Sequence, residues 1–322
     1  MKKKISLSSL YKNTKEKYDK SYSINMIKYD LVPQSLNESL INEFKETDGK
    51  TISYNFILKY FNTPNKMIIF KSKNITLRVI YKRNIDIDFI KESLKRCEII
   101  IDIYNIKKHF EMYLIYSNMK KTLPKKRILE SKHINSAYTY INKDDIFIIR
   151  KEEHEKVMIH EILHHVKNIQ NDNWTNKNIA DLKKHFNISN DCYLIPNEAV
   201  IELWAIIYNS IFVSLYKKMS VNKIIKEEIE HSVKNSKTIL HLQSTYKDGI
   251  WNEKSNLYCY IVFKTILLYN LNKLFKIYTF PYDTNIITKY IINNSGFIIK
   301  SGLKKYKNTG FTFGYNTKSS SV

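Results

Sequence analysis

Thirteen residues restrict this chain more than any others: KVMIHEILHHVKN, residues 156–168. Within them His160 and His164 stand four apart, and Val157, Ile159, Ile162, Leu163 and Val166 recur at helical spacing. Residues i and i+4 of a helix share a face, so both imidazoles can reach one tetrahedral ion at roughly 2.0–2.1 Å. Glu161 lies beside them, a carboxylate placed to take a proton from water. Glu152, Glu153 and Glu155 enrich the first turn, where the helix dipole favours negative charge. The pattern predicts a half-buried helix over 153–170 whose histidine face can hold a metal, against the alternative of a surface helix with incidental histidines.

What precedes that helix alternates like strands. KMIIFKSKNITLRVIYKR (66–83) predicts two strands around a polar turn, and IDFIKESLKRCEIIIDIYN (87–105) a helix. FEMYLIYS (110–117), INSAYTYI (134–141) and DIFIIRK (145–151) again read as strands. Beyond 175 the pattern is almost wholly helical. The expectation is an α+β protein with its strands in the first half. It divides into a polar N-terminal extension or small accessory region (1–62), a sheet with the histidine helix (63–170) and a mainly helical part (171–322).

Composition narrows the class. With 43% hydrophobic residues, 322 residues can bury a substantial core. The apolar runs 199–216 and 256–275 are interrupted by Glu202 and Asn209 and by Lys264, so each reads as a buried helix and no membrane span is expected. The N-terminus begins MKKK but continues without the apolar run of a signal peptide, and three scattered cysteines, Cys97, Cys192 and Cys259, suit a reducing, intracellular compartment. The formal charge of +22 comes from 48 Lys and only 5 Arg, spread along the chain. Lys, Asn, Ile and Tyr share AT-rich codons, so genome bias explains the charge better than a nucleic-acid face, for which no motif is present.

A catalytic zinc needs a third protein ligand and an open position. Position 170, six beyond His164, is Gln and position 167 is Lys, so the metzincin pattern is not met. The segment IPNEAVIELWA (195–205) carries Glu198 and Glu202 four apart on one face of a strongly apolar helix, with Pro196 suited to its start. A carboxylate between Ile201 and Leu203 is costly to bury unless a positive or protic group answers it. Spacing alone lets either glutamate reach the metal.

HEILH, with Glu198 34 residues after His164 inside NEAVIE, resembles the gluzincins, the thermolysin-like zinc peptidases, whose second motif is N-E-A-x-x-D/E. The resemblance implies a zincin-like fold with Zn2+ as cofactor. Its ligands would be His160, His164 and Glu198, with Glu202 orienting a ligand histidine and Glu161 as general base. A peptide or protein substrate would lie extended along an edge strand; INSAYTYI occupies that place, with Asn135, Ser136 and Ala137 matching best. The compositional bias, EAVIELWA and SNLYCYIVFK are also similar to uncharacterised metallopeptidase-like proteins of giant DNA viruses, over about residues 110–270. A viral source would place the chain in host cytoplasm or virion.

Two family features have no counterpart: the downstream oxyanion histidine and the calcium-binding segments. Tyr258, Tyr260 and His241 are the candidates for the missing donor, and Tyr260 is preferred because a phenol can serve an oxyanion. His165 points about 100° off the zinc face, and His154 and His185 have no partners visible in sequence. Two other readings compete: a zincin-like binding or virion protein that does not cut, and a basic nucleic-acid binder, which a steep salt dependence would reveal.

Overall fold

The computed structural model describes residues 5–47, 54–123, 128–299 and 312. Residues 1–4 of the lysine-led N-terminus lie outside them. Contacts divide the chain into two compact units, residues 18–165 and residues 1–17 with 166–322. Helix α1 (Leu7–Tyr18) opens the chain.

The unit of residues 18–165 runs β1 (Asn25–Tyr29), α2 (Gln34–Glu46), α3 (Tyr54–Phe61), β2 (Lys66–Lys71), β3 (Ile75–Tyr81), α4 (Ile87–Tyr104), β4 (Phe110–Ile115), β5 (Leu129–Glu130), α5 (Ser131–Ile134), β6 (Ala137–Thr139), β7 (Asp145–Ile148) and α6 (His154–Leu163). Six of the strands form one mixed sheet in the order β1-β2-β3-β4-β7-β6. β3, β4 and β7 are parallel; β1, β2 and β6 pair antiparallel with their neighbours. The α+β class with a mixed sheet is thus present.

Side chains alternate across a pleated strand, and both faces here are covered. Leu77, Val79, Met112, Leu114, Ile146 and Ile148, all fully buried, share one face, on which α4 and α6 pack against each other and the strands. On the other face Ile80, Ile115 and Phe147 join a core to which α2 and α3 bring Leu40, Phe44, Ile57, Tyr60 and Phe61. Tyr113 and Tyr138 stack on the two sides of Phe147 at 5.1 and 5.0 Å, a ladder across three strands. Cross-strand pairs of this kind contribute roughly 0.2–1 kcal/mol each.

Three expectations are corrected. The polar stretch before 62 supplies β1, α2 and α3; it looks irregular because β1 is exposed along its length and α2 buries only Leu40 and Phe44. The strand over 134–141 contracts to Ala137–Thr139. Before it, a capping box holds the turn α5, with the Glu130 amide bonded to His133 Nδ1 at 3.0 Å. The helix expected over 153–170 stops at Leu163, and the buried Val166 and Ile169 follow it in turns.

The second unit carries α7 (Asn176–His185), α8 (Asn197–Lys217), α9 (Val221–Ser244), β8 (Glu253–Lys254), a π-helical turn (Cys259–Phe263), α10 (Lys264–Tyr269), α11 (Leu271–Ile277), α12 (Thr284–Asn293) and α13 (Gly296–Ile299). α8, α9, the π turn and α10 pack together. By length and apolarity α8 could cross a membrane, yet 83% of its apolar window is buried inside the protein. The run 256–275 is not one helix. The Ile261 carbonyl accepts from Ser236 Oγ at 3.1 Å and Thr265 Oγ1 at 2.6 Å, which supports the wide turn, and Asn270 separates α10 from α11.

Candidate metal centre

Helix α6 is more buried than its sequence suggests: every residue from His154 to Leu163 is enclosed. Its acidic entry is bound by lysines from the segment after β4. Glu153, in the left-handed region at φ 62°, pairs with buried Lys121 at 2.5 Å, and Glu152 meets Lys120 at 3.0 Å. Burial pushes the Lys121 ammonium down to about 8 despite the pull of Glu153. His154 is a core histidine, with Nδ1 2.8 Å from the Lys151 carbonyl, Nε2 3.3 Å from Ser93 Oγ, and the rings of Phe89 and Tyr116 against it.

His164 is the residue at which α6 ends, but its backbone is still right-handed helical (φ −60°, ψ −23°), so the four-residue relation to His160 survives. The two rings lie 5.1 Å apart. His165 turns elsewhere. Its Nε2 is 3.1 Å from Thr139 Oγ1, whose proton goes to the Asp145 carbonyl, so the imidazole donates and ties the end of α6 to β6. Burial, then the charge of Lys108, pushes His165 down to about 4.

Glu198 and Glu202 sit in the first turns of α8, which starts after Pro196. Glu198 is half-buried and Glu202 only 1% exposed. The start of α8 is anchored by Asn197. Its Oδ1 accepts from the Asn171 amide at 3.1 Å and the Tyr282 hydroxyl at 2.5 Å, and its Nδ2 donates to Gln170 Oε1 at 2.8 Å. Asn171 Nδ2 reaches the Tyr282 carbonyl at 2.9 Å, and Trp174 Nε1 donates to the Tyr282 hydroxyl at 3.2 Å. Burial raises the Tyr282 phenol, with the charges of Asp172 and Glu198 adding to it. No spacing rule marks Tyr282 in the sequence; only the structure shows that it holds the residue preceding Glu198.

One ligand atom from each of His160, His164 and Glu198 lies within 4.8 Å of the others. Donors around a tetrahedral zinc sit about 3–3.5 Å apart, and these atoms lie within 4.8 Å of one another. Two imidazoles and one carboxylate are the donor set of a three-ligand site with one position open, so these residues fit zinc. Glu161, 6% exposed, follows His160 on α6.

The other sequence candidates fall as follows. Ala137 begins β6, the edge strand, while Asn135 caps α5 and offers its carbonyl to Arg150 Nε at 3.0 Å; the Ser136 carbonyl accepts the Ile149 amide at 2.9 Å. Tyr260 is half-buried on the π turn. Tyr258 is fully buried with its hydroxyl 3.0 Å from Gln243 Oε1, and His241 is half-buried near the end of α9. His185 bonds Ser295 at 2.9 Å. All three cysteines are free and buried, and burial raises each thiol, Cys192 to about 11. Comparison with known protein families, curated proteins and solved structures finds no match for this chain.

Proposed function

We propose that this chain is a zinc-dependent peptidase of the thermolysin-like class with a zincin-like fold. The observation that carries the reading is the convergence of His160, His164 and Glu198, two of them from an H-E-x-x-H helix and the third from N-E-A-x-x-E. When bound, zinc supplies Lewis acidity toward a carbonyl oxygen and toward water. Glu161 takes the proton of the attacking water and returns it to the leaving amine as the peptide C–N bond breaks. Glu202 orients the metal ligands, and a 10–100-fold effect on affinity or activity is typical of such a partner. An extended substrate pairs its backbone with β6, with Ala137 at its start and Asn135 and Ser136 just before it, and Tyr260 donates to the developing oxyanion.

Elemental analysis of protein purified without chelators tests the metal, with one zinc per chain expected. Glu161→Gln should keep that zinc and abolish cleavage of a peptide library, because the amide preserves shape but cannot accept the proton. Zinc-free protein that takes none up on addition sinks the reading; cleavage by Glu161→Gln at near wild-type rate removes Glu161 as base.

A further inference from the structure

The parallel strands β3, β4 and β7 end side by side, Ile80 opposite Ile115 and Leu114 opposite Ile148. The chain beyond those ends surrounds an open cavity of about 710 Å³, within the 300–1,000 Å³ range of small-molecule sites. In open α/β sheets ligands bind outside the carboxyl ends of the strands where strand order reverses; this cavity shares the position beyond the carboxyl ends, without a reversal between β3, β4 and β7. Ser117 and Lys151 fix its floor: the Ser117 hydroxyl donates to the Ile149 carbonyl, and the Lys151 amide reaches the Ser117 carbonyl at 3.0 Å.

The lining combines cations with rings. Lys82, Arg83 and Lys151 stand at the rim beside Phe56, Tyr60 and Tyr116, with the carboxamides of Asn84 and Asn118, and among the described residues no carboxylate lines it. Lysines are common across this chain, so charge alone decides nothing. Two other cavities each include acids: Asp102 in one, Glu43, Glu46 and Asp145 in the other. Here the Lys82 ammonium lies 4.3 Å over the Tyr60 ring and Lys151 5.9 Å from the Tyr116 ring. The half-buried Phe56 ring tilts 32° from Tyr60 at 6.1 Å. Asp86 and Glu155 act on Tyr116, but neither reaches the lining.

We propose that this cavity, formed by Lys82, Arg83, Lys151, Phe56 and Tyr116, binds a nucleoside phosphate, independently of the metal centre. The exposed guanidinium of Arg83 grips phosphate oxygens in pairs, which a lysine cannot do, and Lys82 and Lys151 balance the remaining charge. The base lies on Phe56, a contact that any base can make because each has a π-face. Asn84 and Asn118 offer donors and acceptors to its edge.

Calorimetric titration of the full chain with ADP, adenosine and inorganic phosphate tests this. ADP should bind, with adenosine and phosphate each weaker by about tenfold or more, since each lacks one half of the recognition. Arg83→Ala and Phe56→Ala should each weaken ADP by about tenfold. Circular dichroism checks that both variants fold; the exposed Arg83 keeps the test sound even if Phe56→Ala does not. Three results overturn the proposal: no ADP binding at millimolar concentration, phosphate binding as tightly as ADP, or Arg83→Ala binding ADP unchanged. A short single-stranded oligonucleotide that displaces ADP at far lower concentration would make nucleic acid the occupant instead.

Discussion

Glu198 and Glu202 are the same side chain one helical turn apart, and their surroundings separate them. Glu198 is half-buried and contributes to the cluster with His160 and His164; Glu202 is enclosed to 1% exposure. In competitive chelator titrations, Glu198→Ala should abolish stoichiometric zinc binding, whereas Glu202→Ala should weaken it by about 10–100-fold and leave detectable metal. The reverse order would put Glu202 on the metal and make the N-E-A-x-x-E register wrong. At this scale much was legible. Histidines at i and i+4 meet because helix geometry is fixed, so the sequence showed the His160–His164 pair directly. Tyr282 stayed hidden: its bond to Asn197 spans 85 residues, a separation that no local rule reaches.

Among the elements, α6 depends on how its N-terminus is held. Glu153 occupies a left-handed position that a β-carbon disfavours, and its partner Lys121 is equally enclosed, at 4% and 3% side-chain exposure. Removing one partner of a buried pair strands the other charge at about 3–5 kcal/mol, while replacing both by neutral groups is often neutral or better. Urea unfolding should show Lys121→Ala strongly destabilised and Lys121→Met with Glu153→Gln close to wild type. The pH dependence has a definite sign. Burial brings folded Lys121 down to about 8 from its ordinary 10.5, so the unfolded chain holds that proton more tightly between them. The cost of the charged lysine is complete below pH 8 and eases as pH rises toward 10.5, a slope that the double variant should lack. β2, β3, α4, β4 and β7 were legible because their apolar repeats match their periods. α2 and β1 were not, since an element that buries two residues or none leaves no stripe to read.

For the molecule as a whole, the helical second half was visible as apolar runs, and the boundary expected at 170/171 lies five residues from the contact boundary between residues 165 and 166. It falls two residues after α6 ends, in a stretch with neither glycine nor proline to mark it. The three buried cysteines follow that boundary: Cys97 belongs to the unit of residues 18–165, and Cys192 and Cys259 belong to the other. A thiol reacts as its thiolate, and burial suppresses that form. Native protein should therefore resist a maleimide, and labelling should rise with denaturant as each unit opens; rapid labelling of all three thiols without denaturant would contradict their enclosure. The chain thus carries a natural isotope-free chronometer: mass mapping of the alkylated peptides, quenched at successive denaturant concentrations, tells which half of the polypeptide comes apart first.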